Sequence, residues 1–181
     1  MLGLYKEAMR KTLNKQAEVL FDKLRLKPGF DIKETVERLG GEIQIKENLK
    51  ENIEAQICPK EGSDDGFLIE CKTAFDNNDV YTRFSIAHEL GHLFLHMAIP
   101  DDEKGYKLIG SFHKEEQNTS INEWEAEEFA AAFLMPENIF RIKVDAVWMD
   151  NKINDKIEYI ANMFKVPYKS VITRGKGLEI W

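Results

Sequence analysis

Several features that would define a secreted or membrane-bound chain are scarce or missing. Two cysteines, Cys58 and Cys71, in 181 residues are too few for the disulfide framework of a small secreted fold. No uninterrupted apolar run is long enough to span a bilayer. Residues Met1 to Glu7 return to charge too soon to form the apolar core of a secretory leader. These absences predict a cytoplasmic protein whose two thiols stay reduced as half-buried strand residues. Excess positive charge is missing as well: 25 Lys and Arg against 32 Asp and Glu leave a net charge of -7. Neutralising phosphates takes clustered Lys and Arg, so the composition argues against a protein that coats nucleic acid. With no repeat, low-complexity tract or long linker, and 43% hydrophobic against 31% charged residues, disorder is excluded.

What is present divides into recognisable elements. Met9, Leu13, Ala17, Leu20 and Leu24 recur at spacings of three and four, which predicts an amphipathic helix over Lys6 to Leu26 with a solvated basic face. Lys27-Pro28-Gly29 breaks it, Asp31 caps a second helix through Leu39, and Gly40-Gly41 stops that one. The segments Glu42–Lys46, Ile53–Cys58 and Gly66–Cys71 alternate as strands, with Pro59–Asp65 as a hairpin loop. A small, antiparallel sheet of about three strands is therefore expected. Tyr81 to Met97 reads as a nearly all-apolar, central helix interrupted by Arg83, His88, Glu89, His92 and His96. Asp101 to Thr119 reads as a long polar loop. Ser120 to Met135 is a strong helix opening on the capping-box pattern Ser120-Ile121-Asn122-Glu123. Pro136 starts another helix through about Met149, and two short helices around Val166-Pro167 end at Gly175. The layout is α+β. The organisation expected from it is one domain over 1–150, with a C-terminal helical segment over 151–181 packed on it.

The chemistry is concentrated in His88-Glu89-Leu90-Gly91-His92. Histidines at i and i+4 of a helix share a face, so two neutral imidazoles can hold one zinc ion. Glu89, beside them in sequence, is placed to act as general base toward a water at such an ion. On a buried helix these polar groups would be unfavourable without partners. Gly91 lowers helix stability relative to Ala, which suggests close approach of another backbone. A catalytic zinc takes a third protein ligand, and the helix after Ser120 offers four carboxylates. Glu125 continues the inward stripe of Phe129 and Phe133 and ranks first. Glu123 ranks second, since the capping box assigns it to Ser120. Glu127 lies on the polar side, and Glu128 lies under Trp124. His96, a further turn along, reads as an outer partner or a satisfied core histidine. His113 reads as a solvated loop residue, and Trp124, Trp148 and Trp181 read as packing residues.

The stretch Arg83 to His96, RFSIAHELGHLFLH, resembles the RFTLAHELGHLLLH signature of the ImmA/IrrE family of zinc metallopeptidases. Glu123 to Pro136, EWEAEEFAAAFLMP, resembles the family's second block, ExEANxFAAxLLMP, in the same order along the chain. The IANMFKVPYKSVITRG segment near the C-terminus is similar to LAxxFxVSxxAVxxRL. Glu127 stands where the family often has Asn, and Phe133-Leu134 replaces Leu-Leu. The resemblance implies a zincin-like helical core around the HExxH helix, Zn2+ as cofactor, His88 and His92 as ligands, Glu89 as catalytic base and Glu125 as third ligand. It further implies a cytoplasmic protein that cleaves a helix-turn-helix repressor and so releases a phage, mobile-element or stress programme.

The expectation is therefore a zinc-dependent, site-specific endopeptidase with a protein substrate, no membrane association and no direct nucleic-acid binding. The competing reading is a non-proteolytic zinc-binding regulator of a repressor or of DNA, carried by the helix-turn-helix flavour of Ile157 to Arg174. That segment has few basic residues: Lys165, Lys169 and Arg174. Acidic residues outnumber basic ones from Pro100 to Ala130, which suggests that part of the negative charge favours a basic partner.

Overall fold

The computed structural model describes residues 2–51, 53–60, 62–63, 66–74, 76, 78–99, 107–108, 120–150 and 155–181. The chain forms two compact units, one of Asp31–Glu127 and the other of Met1–Phe30 with Glu128–Trp181. Among the described residues, seven α-helices and a small mixed sheet of three strands make an α+β fold. No helix among the described residues is long and apolar enough to cross a membrane.

In the first of these units, hereafter the site unit, α2 (Ile32–Arg38) is capped by Asp31, whose carboxylate accepts from Glu34 N at 3.0 Å. Leu39 and Gly40 end it. Strands β1 (Gly41–Ile45), β2 (Ala55–Pro59) and β3 (Phe67–Cys71) follow. Their alternation places Ala55, Ile57, Phe67, Ile69 and Cys71 in the core. On the other face, Lys46 Nζ donates to Glu70 at 2.7 Å.

The sheet is mixed, with the order β1-β3-β2, and so departs from the all-antiparallel expectation. The hairpin makes β2 antiparallel to β3, in the register Ile57 to Ile69. β3 then inserts between the first two strands and runs parallel to β1, Ile43 opposite Ile69. Alternation along a strand says which face is buried but not which strand lies beside which.

Helix α3 (Val80–His92) is capped by Asp79, which accepts from Tyr81 N at 3.0 Å. Arg83, Ile86, Ala87, Leu90 and Gly91 are its buried residues. Burial lowers the Arg83 pKa to about 10, against the opposing charge of Asp31. The expected single helix to Met97 changes character after His92: Leu93–Met97 forms a turn of π-helix, a wider winding that often occurs at functional sites. Two-residue strands β4 (Ala98–Ile99) and β5 (Lys107–Leu108) pair antiparallel. Lys107 and Leu108 thus leave the expected loop, while the rest of Asp101 to Thr119, including His113, lies outside the described residues.

Helix α4 (Ser120–Leu134) contains the boundary between the units. The second, helical unit holds α1 (Leu2–Lys23), the C-terminal part of α4, α5 (Glu137–Met149), α6 (Lys156–Phe164) and α7 (Tyr168–Gly177). Pro136 caps α5 rather than starting it. Leu13, Ala17 and Phe21 of α1, four residues apart, are buried, as are Phe129, Phe133, Phe140 and Phe164. Lys165 adopts left-handed backbone (φ 52°) to end α6, and Val166-Pro167 leads into α7. Trp181 packs against Gly175, where any Cβ would fall 2.0 Å from the indole. Trp181 also stacks on Trp148 at 5.2 Å, a packing role as expected.

Candidate metal centre

The site lies within the site unit. α3 and the start of α4 touch where side chains are smallest: a Cβ on Gly91 would lie 2.8 Å from Ala126 O and 2.9 Å from Ala126 Cα. This is the close backbone approach that the helical glycine suggested. One turn from the crossing, His88 and His92 extend their rings from the same side of α3. Their Nε2 atoms are 3.0 Å apart. Glu123 reaches both, with Oε2 3.2 Å from His88 Nε2 and Oε1 3.4 Å from His92 Nε2.

Two nitrogens and a carboxylate at such spacing match one four-coordinate cation. Ligand atoms about 2.0–2.1 Å from a tetrahedral zinc stand about 3.3 Å from each other. Two imidazole nitrogens facing one another 3.0 Å apart can share at most one proton between them, so a cation satisfies the cluster better than its own hydrogens. His88, His92 and Glu123 are the one group of three His, Cys, Asp or Glu side chains among the described residues that converges in this way. Hydrogen bonding to His88 holds the Glu123 carboxyl below its ordinary range, against the opposing effect of burial. The side chains of His88, His92 and Glu123 are 21%, 12% and 45% exposed, so the cluster is open on one side.

The remaining sequence-derived residues take other positions. Glu125, ranked first as third ligand, is buried as the Phe129/Phe133 stripe predicted, but its Oε2 lies 3.8 Å from His96 Nε2 and it is not in the converging group. Glu123, ranked second, is the carboxylate of that group. Its oxygens face the histidines, and Ser120 lies inside the helix. Helical facing tells which carboxylate is buried, yet residues two apart differ by about 200° around the axis, so it does not tell which one meets a given point on α3. A signal was available in the small residues of the crossing: Glu123 precedes Ala126 by three positions, as His88 precedes Gly91.

His96 stands outside the group of three, 3.4 Å from Asn122 O and beside Glu125. Burial lowers its pKa, with Asn122 and Glu125 opposing. Glu127 is exposed, and Glu128 pairs with Arg10 at 3.0 Å. Glu89 is half-buried, and its Oε2 accepts the backbone N–H of Ile57 in β2 at 2.8 Å. Sequence reasoning had no means to find that contact, because the donor is main chain. Cys71 is pushed up to about 11, first by burial and then by the charge of Glu89.

The family model described as the IrrE N-terminal-like domain, Peptidase_M78, matches residues 77–175. No curated protein matches the chain. Among solved structures, a Mycobacterium tuberculosis transcriptional regulator superposes with a TM-score of 0.54 at 18% identity, over 93% of this chain and 50% of that one. The likeness is one of fold, and this chain spans about half the length of that structure.

Proposed function

This chain belongs to the Peptidase_M78 family of IrrE N-terminal-like domains, and on that premise we propose that it is a zinc-dependent endopeptidase that cuts a regulatory protein at a specific site. The observation that carries this reading is the convergence of His88, His92 and Glu123 within 3.0–3.4 Å, with Glu89 following His88 in the chain. In this reading His88, His92 and Glu123 hold the ion. Bound there, zinc supplies a Lewis acid for a peptide carbonyl and for water. Glu89 takes one proton from the water that attacks the carbonyl carbon. It then delivers that proton to the amide nitrogen, which departs as the amine when the C–N bond breaks. Protons and bonds balance: one water is consumed, and one amine and one carboxylate end are formed.

A cytoplasmic helix-turn-helix repressor is the proposed substrate. The family resemblance supports it, and so does the net charge of -12 on the residues of the site unit, from 22 acidic and 10 basic side chains, which favours a basic partner. The test is co-expression with the repressor encoded beside this chain and mass mapping of its fragments, in parallel with a chelator. Cleavage that stops with chelation and returns with zinc supports the proposal; cleavage indifferent to chelation contradicts it. A second reading, a non-proteolytic regulator that binds a repressor or DNA, is favoured by the helical unit. Its residues carry 15 basic and 10 acidic side chains and include the α6–α7 turn. A salt-dependent gel shift by the pure protein, without cleavage, would select it.

A further inference from the structure

We propose that the backbone N–H of Ile57 positions the Glu89 carboxylate, a role that rests on the peptidase reading above. The register of β2 isolates this amide from the sheet. Lys60 N donates to Gly66 O and Lys72 N to Glu54 O, so residues 54, 56, 58 and 60 form the hydrogen-bonded pairs with β3. Residues 55, 57 and 59 point their main-chain groups the other way, off the edge of the sheet. Ile57 is only 5% exposed, and a buried N–H requires an acceptor. That acceptor is Glu89 Oε2, at 2.8 Å, a charge-assisted bond stronger than one between neutral groups.

The donor is part of a strand, so it cannot rotate as a side chain does. It fixes one oxygen of the Glu89 carboxylate in place. Glu89 is thereby tied at two points, through its own helix and through the sheet edge. Pro59, two residues along in the same outward phase, shows that a missing N–H is compatible with this edge. Ile57→Pro therefore removes the donor while leaving every hydrogen bond to β3 in place.

The experiment is residue-resolved amide exchange on the full chain, zinc-loaded and zinc-free, with cleavage kinetics on the protein substrate identified by co-expression. In the native chain the Ile57 amide exchanges slowly despite having no strand partner. Glu89→Ala speeds that one amide by about 10- to 100-fold, and leaves Cys58, bonded within the sheet, unchanged. Glu89→Gln, which keeps an acceptor oxygen, restores most of the protection. Ile57→Pro lowers kcat by about tenfold or more, with KM within about twofold and zinc content unaltered. An Ile57 amide indifferent to Glu89→Ala overturns the proposal, as does native kcat in Ile57→Pro. If protection follows Glu89 but the native chain cleaves nothing, the peptidase reading fails while the contact stands.

Discussion

The two units arrange their polar side chains differently. In the helical unit Arg174 is 3% exposed. Its Nε donates to Met135 O at 3.1 Å, and its Nη1 donates to Asn14 Oδ1 at 2.8 Å with Glu128 3.8 Å away. Two of its donors thus meet acceptors within the helical unit, while its Nη2, buried as well, has no hydrogen-bond partner among the described residues. In the site unit His88, His92 and Glu123 bring like atoms together, nitrogen facing nitrogen at 3.0 Å, on a partly open surface. The first arrangement spreads protein oxygens around one fixed charge; the second gathers three ligand-type atoms at the spacing of one cation's ligands. Partners spread around one buried cation mark structure, and three ligand-type atoms converging on one point mark a candidate site.

The sharpest way to separate chemistry from structure is Glu89→Gln. It should bind zinc like the native chain while losing about a thousandfold or more of cleavage, the range for removing a general base. Zinc content by metal analysis and fragment mapping read both halves, and retained cleavage would break the assignment of the base. Next in size is Arg174→Met in the helical unit. Stranding Asn14 and Met135 O should lower unfolding free energy by about 2–4 kcal/mol in urea titration. Zinc affinity under native conditions should not change. A large loss of zinc affinity would show that the contrast between the units is too simple.

Much of this division was legible in the sequence, and what was not has a physical cause. Local signals held: apolar spacing placed α1, α3 and α4, the Asp31 cap and Gly40 bracketed α2, and the HExxH spacing brought His88 and His92 together. Quantities set by tertiary approach did not follow. The parallel pairing of β1 with β3 depends on strand order. The choice of Glu123 over Glu125 for the converging group depends on where α4 crosses α3. The hold of Ile57 on Glu89 depends on a main-chain atom that carries no sequence signature.

Gly91→Ala probes that crossing directly. The added methyl meets Ala126 backbone at 2.8–2.9 Å and must push α3 and α4 apart, costing about 1–3 kcal/mol of stability. Because the proposed ligands His88, His92 and Glu123 are shared between these two helices, zinc affinity should fall by about tenfold or more. Unchanged affinity would mean that the crossing does not set the site. The smallest effect concerns the thiols. Cys71 is 1% exposed with its pKa raised to about 11, so the native chain should be alkylated at Cys58 and not at Cys71 near pH 8. A folded pKa above the ordinary 9.0 favours the neutral thiol. Its stabilising contribution is thus full below about pH 9 and declines as pH rises toward about 11. Alkylation of Cys71 under native conditions would contradict its burial.

The central claim is the three-residue metal centre, and zinc affinity of paired variants tests it most directly. Competitive chelator titration of Glu123→Gln and Glu125→Gln should show about a hundredfold or greater loss for the first and no more than about tenfold for the second. The reverse order, or equal losses, would contradict the assignment of Glu123 beside His88 and His92.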